Sequence, residues 1–218
     1  MQDYNLASLT QRVKSKLKDN EFDDDDIKQW INDAQMEVLG EDHYKFLEKF
    51  DTYTDVRGGE LDTPRDHQTT IHLTATNQQS NLKITLDYMG PKDWFSLPEG
   101  RRQGYTVFGS KMLFALPIVN TEDNAPRRWR IKHYYLAKPT VLNGETDVPV
   151  IPYEFGEILV LGALRRAEER RDNFDFAAIY SNQELELIEN MKMRYGIRTF
   201  DDHIARLPLN RGIRTRSF

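Results

Sequence analysis

Leu6, Leu9, Val13 and Leu17 recur at the interval of one helical face, which predicts a short amphipathic helix over residues 5–19. The acidic turn Asp23-Asp24-Asp25-Asp26 follows, and then a second face made of Ile27, Trp30, Ile31, Ala34 and Val38. Carboxylates ahead of an apolar-periodic run suit the free N–H groups and the positive dipole end of a helix. The helical reading extends to Phe50, passing Gly40 at a cost in propensity. From Asp51 the period changes to two, the mark of strands with one buried face. Ile71, Leu73 and Ala75 alternate with Thr70, His72 and Thr74, and Leu82, Ile84, Leu86 and Tyr88 alternate with Lys83, Thr85 and Asp87. The polar stretch Thr76 to Asn81 makes these a hairpin, and Gly109-Ser110 joins Tyr105–Phe108 to Lys111–Phe114 in a two-residue turn. Pro91 to Leu97 reads as one helical turn carrying Trp94 and Phe95, and Trp129, Ile131, His133 and Tyr135 form a last strand.

Helix returns after the loop Lys138–Pro149, with Pro152 suited to a first helical position. The run Ile158-Leu159-Val160-Leu161-Gly162-Ala163-Leu164 is apolar on every side, so it must be buried within a core or against another chain. Arg165 to Arg171 is heavily charged, and a final helix over about Phe174–Tyr195 stops at Gly196. That helix puts Ala177, Tyr180, Leu187, Ile188, Met191 and Tyr195 on one side. The expected fold class is α+β: an antiparallel helical bundle from both chain halves (1–50 and 150–196), an inserted antiparallel β region (51–149) and an extended basic C-terminal arm (197–218). Trp30, Ile31, Ala34, Phe155, Ile158, Leu159, Gly162 and Ala163 are the residues expected to pack the bundle or a ring of bundles.

Composition narrows the classes. The 218 residues suit one domain or one domain with an insertion, and the apolar share of 39% can build a core. A charged share of 30% and a mean hydropathy of -0.70 leave ample solvated surface. No run of 18 or more apolar residues is present, and Met1-Gln2-Asp3-Tyr4 lacks the layout of a signal peptide. The absence of cysteine excludes disulfides, thiolate zinc sites and thiol catalysis. A net charge of -5 argues against a general nucleic-acid binder.

Candidate chemistry stays thin. Asp23 to Asp26 is a cluster that hard cations favour, but an EF-hand beginning at Asp23 would need Gly and Glu where Lys28 and Ala34 stand. It reads as a solvated helix start. His67 and His72 lie five apart, with His43 and His133 distant, and no His-Glu-x-x-His motif exists. They read as ordinary sheet or surface histidines. Neither a Gly-x-Ser-x-Gly elbow nor a phosphate-binding Walker loop occurs; Gly58-Gly59 reads as a turn, and Glu154 and Glu157 merely share a helix face. No metal and no cofactor is expected.

The tail differs from the body. From His203 onward the chain carries four arginines and no acid, a charge of +4, which leaves -9 for residues 1–202 of a chain totalling -5. As a nucleic-acid arm, Arg206, Arg211, Arg214 and Arg216 would neutralise phosphates, but no aromatic groove accompanies them beyond Phe218. As a docking arm, Leu207, Leu209, Ile213 and Phe218 would be anchors between the arginines. A disordered terminus is the third possibility.

The order of motifs resembles a known family. Ile27-x-x-Trp30-Ile31-Asn32-x-Ala34-Gln35-x-Glu37, the strand pair around Gly109 leading to Leu116-Pro117, and Arg130-Ile131-Lys132-His133-Tyr134-Tyr135 are similar to segments of head-to-tail adaptor (connector) proteins of tailed bacteriophages. So is Val148-Pro149-x-Ile151-Pro152-x-x-Phe155-x-x-Ile158-Leu159-Val160-x-Gly162-Ala163-Leu164, and the likeness spans about residues 5 to 195. Asp51 to Met89 is longer and more hairpin-like than that pattern. The resemblance implies a structural protein of the virion neck, assembled in the host cytoplasm. It implies a homo-oligomeric, twelvefold ring beneath the portal protein, with the C-terminal arm on the portal, a tail or neck protein below, and genomic DNA passing without sequence-specific contact. It implies no enzyme activity and no membrane. Two other classes stay open: an enzyme with a dispersed carboxylate site, and a nucleic-acid-binding regulator, which the acidic stretch Asp24–Glu48 disfavours.

Overall fold

A computed structural model describes residues 4–18, 21–57, 59–116 and 128–196. Helix α1 (Leu6–Leu17) starts at Asn5, whose side chain accepts from the Ser8 backbone N–H at 2.9 Å, and Ser8 Oγ answers the Asn5 N–H. Helix α2 (Asp24–Glu41) is capped by Asp23, whose carboxylate accepts from the Asp26 N–H at 2.8 Å. The acidic run is therefore a helix start.

Helix α2 does not continue to Phe50. Its last turn holds no cation of its own, and Asp42 stands at the negative end of the dipole, where Lys192 pairs with it at 2.8 Å. Beyond it, a single turn at Lys45–Leu47 leads into strand β1 (Glu48–Val56), which pairs with β7 (Trp129–Ala137). Long-range pairing overrides the helical reading there.

Strands β3 (His67–Asn77) and β4 (Lys83–Leu86) form the first hairpin, and β5 (Gly104–Phe108) and β6 (Lys111–Ala115) the second. Strand β2 (Glu60–Asp62) joins β6, and the turn α3 (Pro91–Ser96) buries Trp94. One antiparallel sheet runs β1-β7-β3-β4 and a second runs β2-β6-β5. Val56, Leu73, Ala75, Leu86, Tyr105, Met112, Phe114, Trp129 and Ile131 fill the core of these strands. The alternation misplaces three residues. Ile71 is exposed because the β3–β7 register shifts between Thr70 and His72, and Leu82 and Tyr88 are exposed beyond the ends of β4.

Pro152 precedes a 3-10 turn at Tyr153–Phe155, and the helix itself, α4 (Glu157–Arg170), begins later than the proline implies. Helix α5 (Phe174–Tyr195) follows with the expected bounds. Helix α4 packs on α5, α2 and α1, and its apolar run is buried throughout. The fold class is α+β, with antiparallel sheets. Gly58, Pro117 and the whole arm lie outside the described residues.

Candidate functional site

The eight packing residues come together. Trp30, Ile31 and Ala34 on α2 meet Ile158, Leu159, Gly162 and Ala163 on α4, with Phe155 just ahead, in one core of a single chain. Ile158, Leu159, Val160, Ala163 and Leu164 are wholly covered without a neighbouring subunit. The approach is close because Gly162 lacks a side chain: a Cβ there would lie 2.7 Å from Ala34 Cβ and 2.7 Å from Glu184 Oε1.

Beside this contact the charged half of α4 is spent internally. Arg165 donates to Glu184 at 3.0 Å, to Glu37 at 2.9 Å and to Glu169 at 3.3 Å. Arg166 pairs with the same Glu37 and donates to the Gly162 carbonyl at 3.0 Å. Burial raises the buried Glu184 carboxyl above its ordinary range, against the pull of Arg165. Burial also acts on Glu37, but the two guanidiniums outweigh it and hold that carboxyl low. Arg170 reaches Asp26 at 2.9 Å and Arg171 reaches Glu21 at 2.8 Å. The clamp thus ties α4 to α2 and α5, and its arginines are committed to carboxylates instead of phosphates.

Two polar residues of α2, quoted in the motif but given no role by sequence reasoning, fasten the loop before α4. Asn32 accepts from the Leu142 N–H at 2.7 Å and donates to its carbonyl at 2.9 Å. Gln35, fully buried, accepts from the Val150 N–H at 3.0 Å and donates to the Thr140 carbonyl at 2.9 Å. The signal available in the sequence was an amide on each apolar shoulder of α2, where a solvated helix would carry charge.

Of the two histidines weighed as a pair, His72 faces outward, and His67 meets the distant His133 instead. Thr70 Oγ1 sits 3.0 Å from His67 Nε2 and 2.9 Å from His133 Nε2. Burial, then the charge of His67, pushes His133 down to about 4; burial and then Lys138 also lower His67. Since a hydroxyl has one proton to donate, one of the two Nε2 atoms must donate to it. Among the described residues no group of His, Asp or Glu is placed to hold a metal ion, and no helix is long and apolar enough to cross a membrane.

The opposite side of the four-stranded sheet is covered by the helices at Leu136 and open beyond it. Phe50 stacks on Tyr134 at 5.7 Å and His72 lies 6.2 Å from the same ring, in one cross-strand row over β1, β7 and β3. This row opens on a shallow depression of about 390 Å³ lined by Glu48, Lys49, Ile71, Thr74, Lys83 and Lys132 as well. The depression thus combines an aromatic rim with the cations Lys49, Lys83 and Lys132 and the single carboxylate Glu48.

Comparison with protein-family models matches the SU10 adaptor protein family over residues 4–206. The chain belongs to that family. Comparison with individual curated proteins finds no match. An SU10 adaptor is a structural phage protein of the head-to-tail junction, in agreement with the resemblance read from the motifs. The family match takes in the whole helical core, both sheets and the arm only as far as Arg206. Leu207, Leu209, Arg211, Ile213, Arg214, Arg216 and Phe218 lie beyond that match and, with Arg206, outside the described residues. In the adaptor these eight residues lie in the buried core of one chain, while the outer sheet face and the outer side of α5 carry exposed apolar residues.

Proposed function

We propose that this adaptor assembles as a ring of identical subunits, twelve by family resemblance, beneath the portal protein. The ring prolongs the DNA channel towards the tail, and residues 203–218 dock on the portal. The β region turns to the next neck or tail protein. Membership of the SU10 adaptor family over residues 4–206 is the observation that carries this reading. Charge supports it: the body at -9 gives genomic DNA a repulsive wall to slide along, with no sequence-specific contact. In the arm, Leu207, Leu209, Ile213 and Phe218 offer apolar burial, and four arginines speed the approach to acidic portal groups.

The test mixes purified portal rings with the full chain and with a chain truncated after Arg206, read by electron microscopy and size-exclusion chromatography. The full chain decorates the portal; the truncated chain keeps its melting temperature and stays free. Equal decoration by both removes the docking role of the arm. A full chain that never joins the portal overturns the whole placement.

A further inference from the structure

Two exposed faces of the chain carry opposite charge. On the outer side of the four-stranded sheet, the rows after Phe50–Tyr134–His72 are Thr52–Lys132–Thr74–Thr85 and Arg130–Thr76–Lys83. The paired residues of these three rows include no carboxylate; Asp55, in the β1 bulge opposite Arg130, is paired with Arg128, Glu48 stands at the rim of the depression and Lys49 is paired with Asp66. Lys83, Arg130 and Lys132 are exposed and have no ion pair among the described residues. Phe50 is 62% exposed and Ile71 49%, so the face offers apolar area as well as charge.

The second face is the outward stripe of α5. Ala177, Glu184 and Met191 point into the protein, which leaves Asp175, Ile179, Glu186 and Met193 at helical spacing on the far side. Phe176 and Leu185 flank that stripe and are also exposed. Asp175 and Glu186 have no ion pair among the described residues.

We infer that the outer sheet face of one copy seats on the outer face of α5 in the next copy. Basic meets acidic, and aromatic Phe50 and Tyr134 meet aliphatic Ile179 and Met193. The two patches differ and lie on different elements, so the contact is head-to-tail, the kind that closes into a ring or propagates. Duplex DNA is the poorer occupant of the sheet face. Three cations make few phosphate contacts, and an exposed Phe–Tyr stack has no place on a sliding surface. This inference rests on the ring reading above and names the faces that build it.

Charge reversal tests it with an internal rescue. Lys83→Glu, Arg130→Glu and Lys132→Glu together make the sheet face acidic; Asp175→Lys and Glu186→Lys make the helix face basic. Each set alone juxtaposes like charges and lowers the yield of rings on portal complexes about tenfold or more. Both sets in one chain restore complementarity and recover the rings, and so does mixing the two singly reversed chains. Circular dichroism melts verify that every variant folds. The chain has no cysteine, so Tyr134→Cys and Ile179→Cys in separate preparations introduce the sole thiols. On mixing with portal complexes they form the mixed disulfide dimer, and neither preparation alone does so. Normal rings from both singly reversed chains, with no mixed disulfide, overturn this inference and leave the ring reading standing. Absence of rings in the unaltered chain overturns the ring reading itself. Loss of duplex DNA capture in the sheet variant, with rings intact, assigns the face to DNA and overturns the inference.

Discussion

Gly162 and Ala34 touch across the α2–α4 interface at a distance that leaves no room for a β-carbon on the glycine: it would stand 2.7 Å from the alanine methyl. Glu184 Oε1 closes the same space from α5. Gly162→Leu therefore forces the helices apart and breaks the Arg165–Glu184 geometry, with an expected loss of about 1–3 kcal/mol. Gly162→Ala costs less but remains destabilising. Thermal melts of the two variants beside the parent chain check the order; a Leu variant as stable as the parent would falsify the account of this contact.

His133 gives the fold a dependence on acid. Its imidazole is held at about 4 against an ordinary 6.5, so between those values the unfolded chain binds a proton that the folded chain refuses. Stability is complete above pH 6.5 and is lost as pH falls through that window, by up to roughly 3 kcal/mol. His67, lowered in the same direction, adds to the trend. Urea midpoints at pH 7 and pH 4.5 should differ less for His133→Gln than for the parent. An unchanged difference would show that the buried ring is not the source.

Asn32 and Gln35 each hold the loop before α4 by two hydrogen bonds. Replacing either amide by alanine leaves backbone groups of that loop unpaired and costs about 1–3 kcal/mol. The effect is also local. Hydrogen exchange at the Leu142 amide accelerates in Asn32→Ala, and at the Val150 amide in Gln35→Ala. Exchange that rises equally at both sites in both variants would point to global loosening instead.

The turn between β3 and β4 is a candidate contact for the tail-side partner. Thr76 and Asn77 belong to β3, and the Asn77 side chain accepts from the Gln79 and Ser80 N–H groups at 2.9 Å. Removal of Thr76 to Asn81 would cut into the sheet, so the cleaner change replaces Gln78–Asn81 by Asn-Gly. Because the change also removes both N–H partners of the buried Asn77 side chain, that variant should melt lower but stay folded, and keep its portal binding while attaching fewer tails. Loss of portal binding with the fold intact would move the β region to the other side of the ring.

How legible each element was follows from its physics. Helices α1, α4 and α5 declared themselves through a one-sided or all-round apolar period, and the two hairpins through alternation and Gly109-Ser110. Strand β1 did not, because Phe50 and Tyr53 fall on opposite sides of an otherwise polar stretch, Glu48 to Asp55, which gains its order from β7, far away in the chain. Ile71 was misplaced by a register shift that no period can reveal. The buried faces of α2 and α4 were readable because burial leaves a period. Asn32, Gln35 and the partners of Arg165 were not, since a hydrogen bond to a distant loop or helix leaves no local pattern. Leu61 of β2 lies on a strand of three residues, too short for alternation to show.

Strand β7 belongs to two cores at once. Trp129 and Ile131 sit in the core of the strands, and Leu136, at the other end, sits in the core of the helices. Its nine residues span about 30 Å, and it is hydrogen-bonded on both flanks, to β1 and to β3. A pull along this strand loads both ladders in shear, where many bonds resist together, instead of peeling them one at a time. The strand is thus a tie rod. Tension applied to the sheet would reach the helices through Leu136 as a displacement of the whole body, not as an unravelling of its edge.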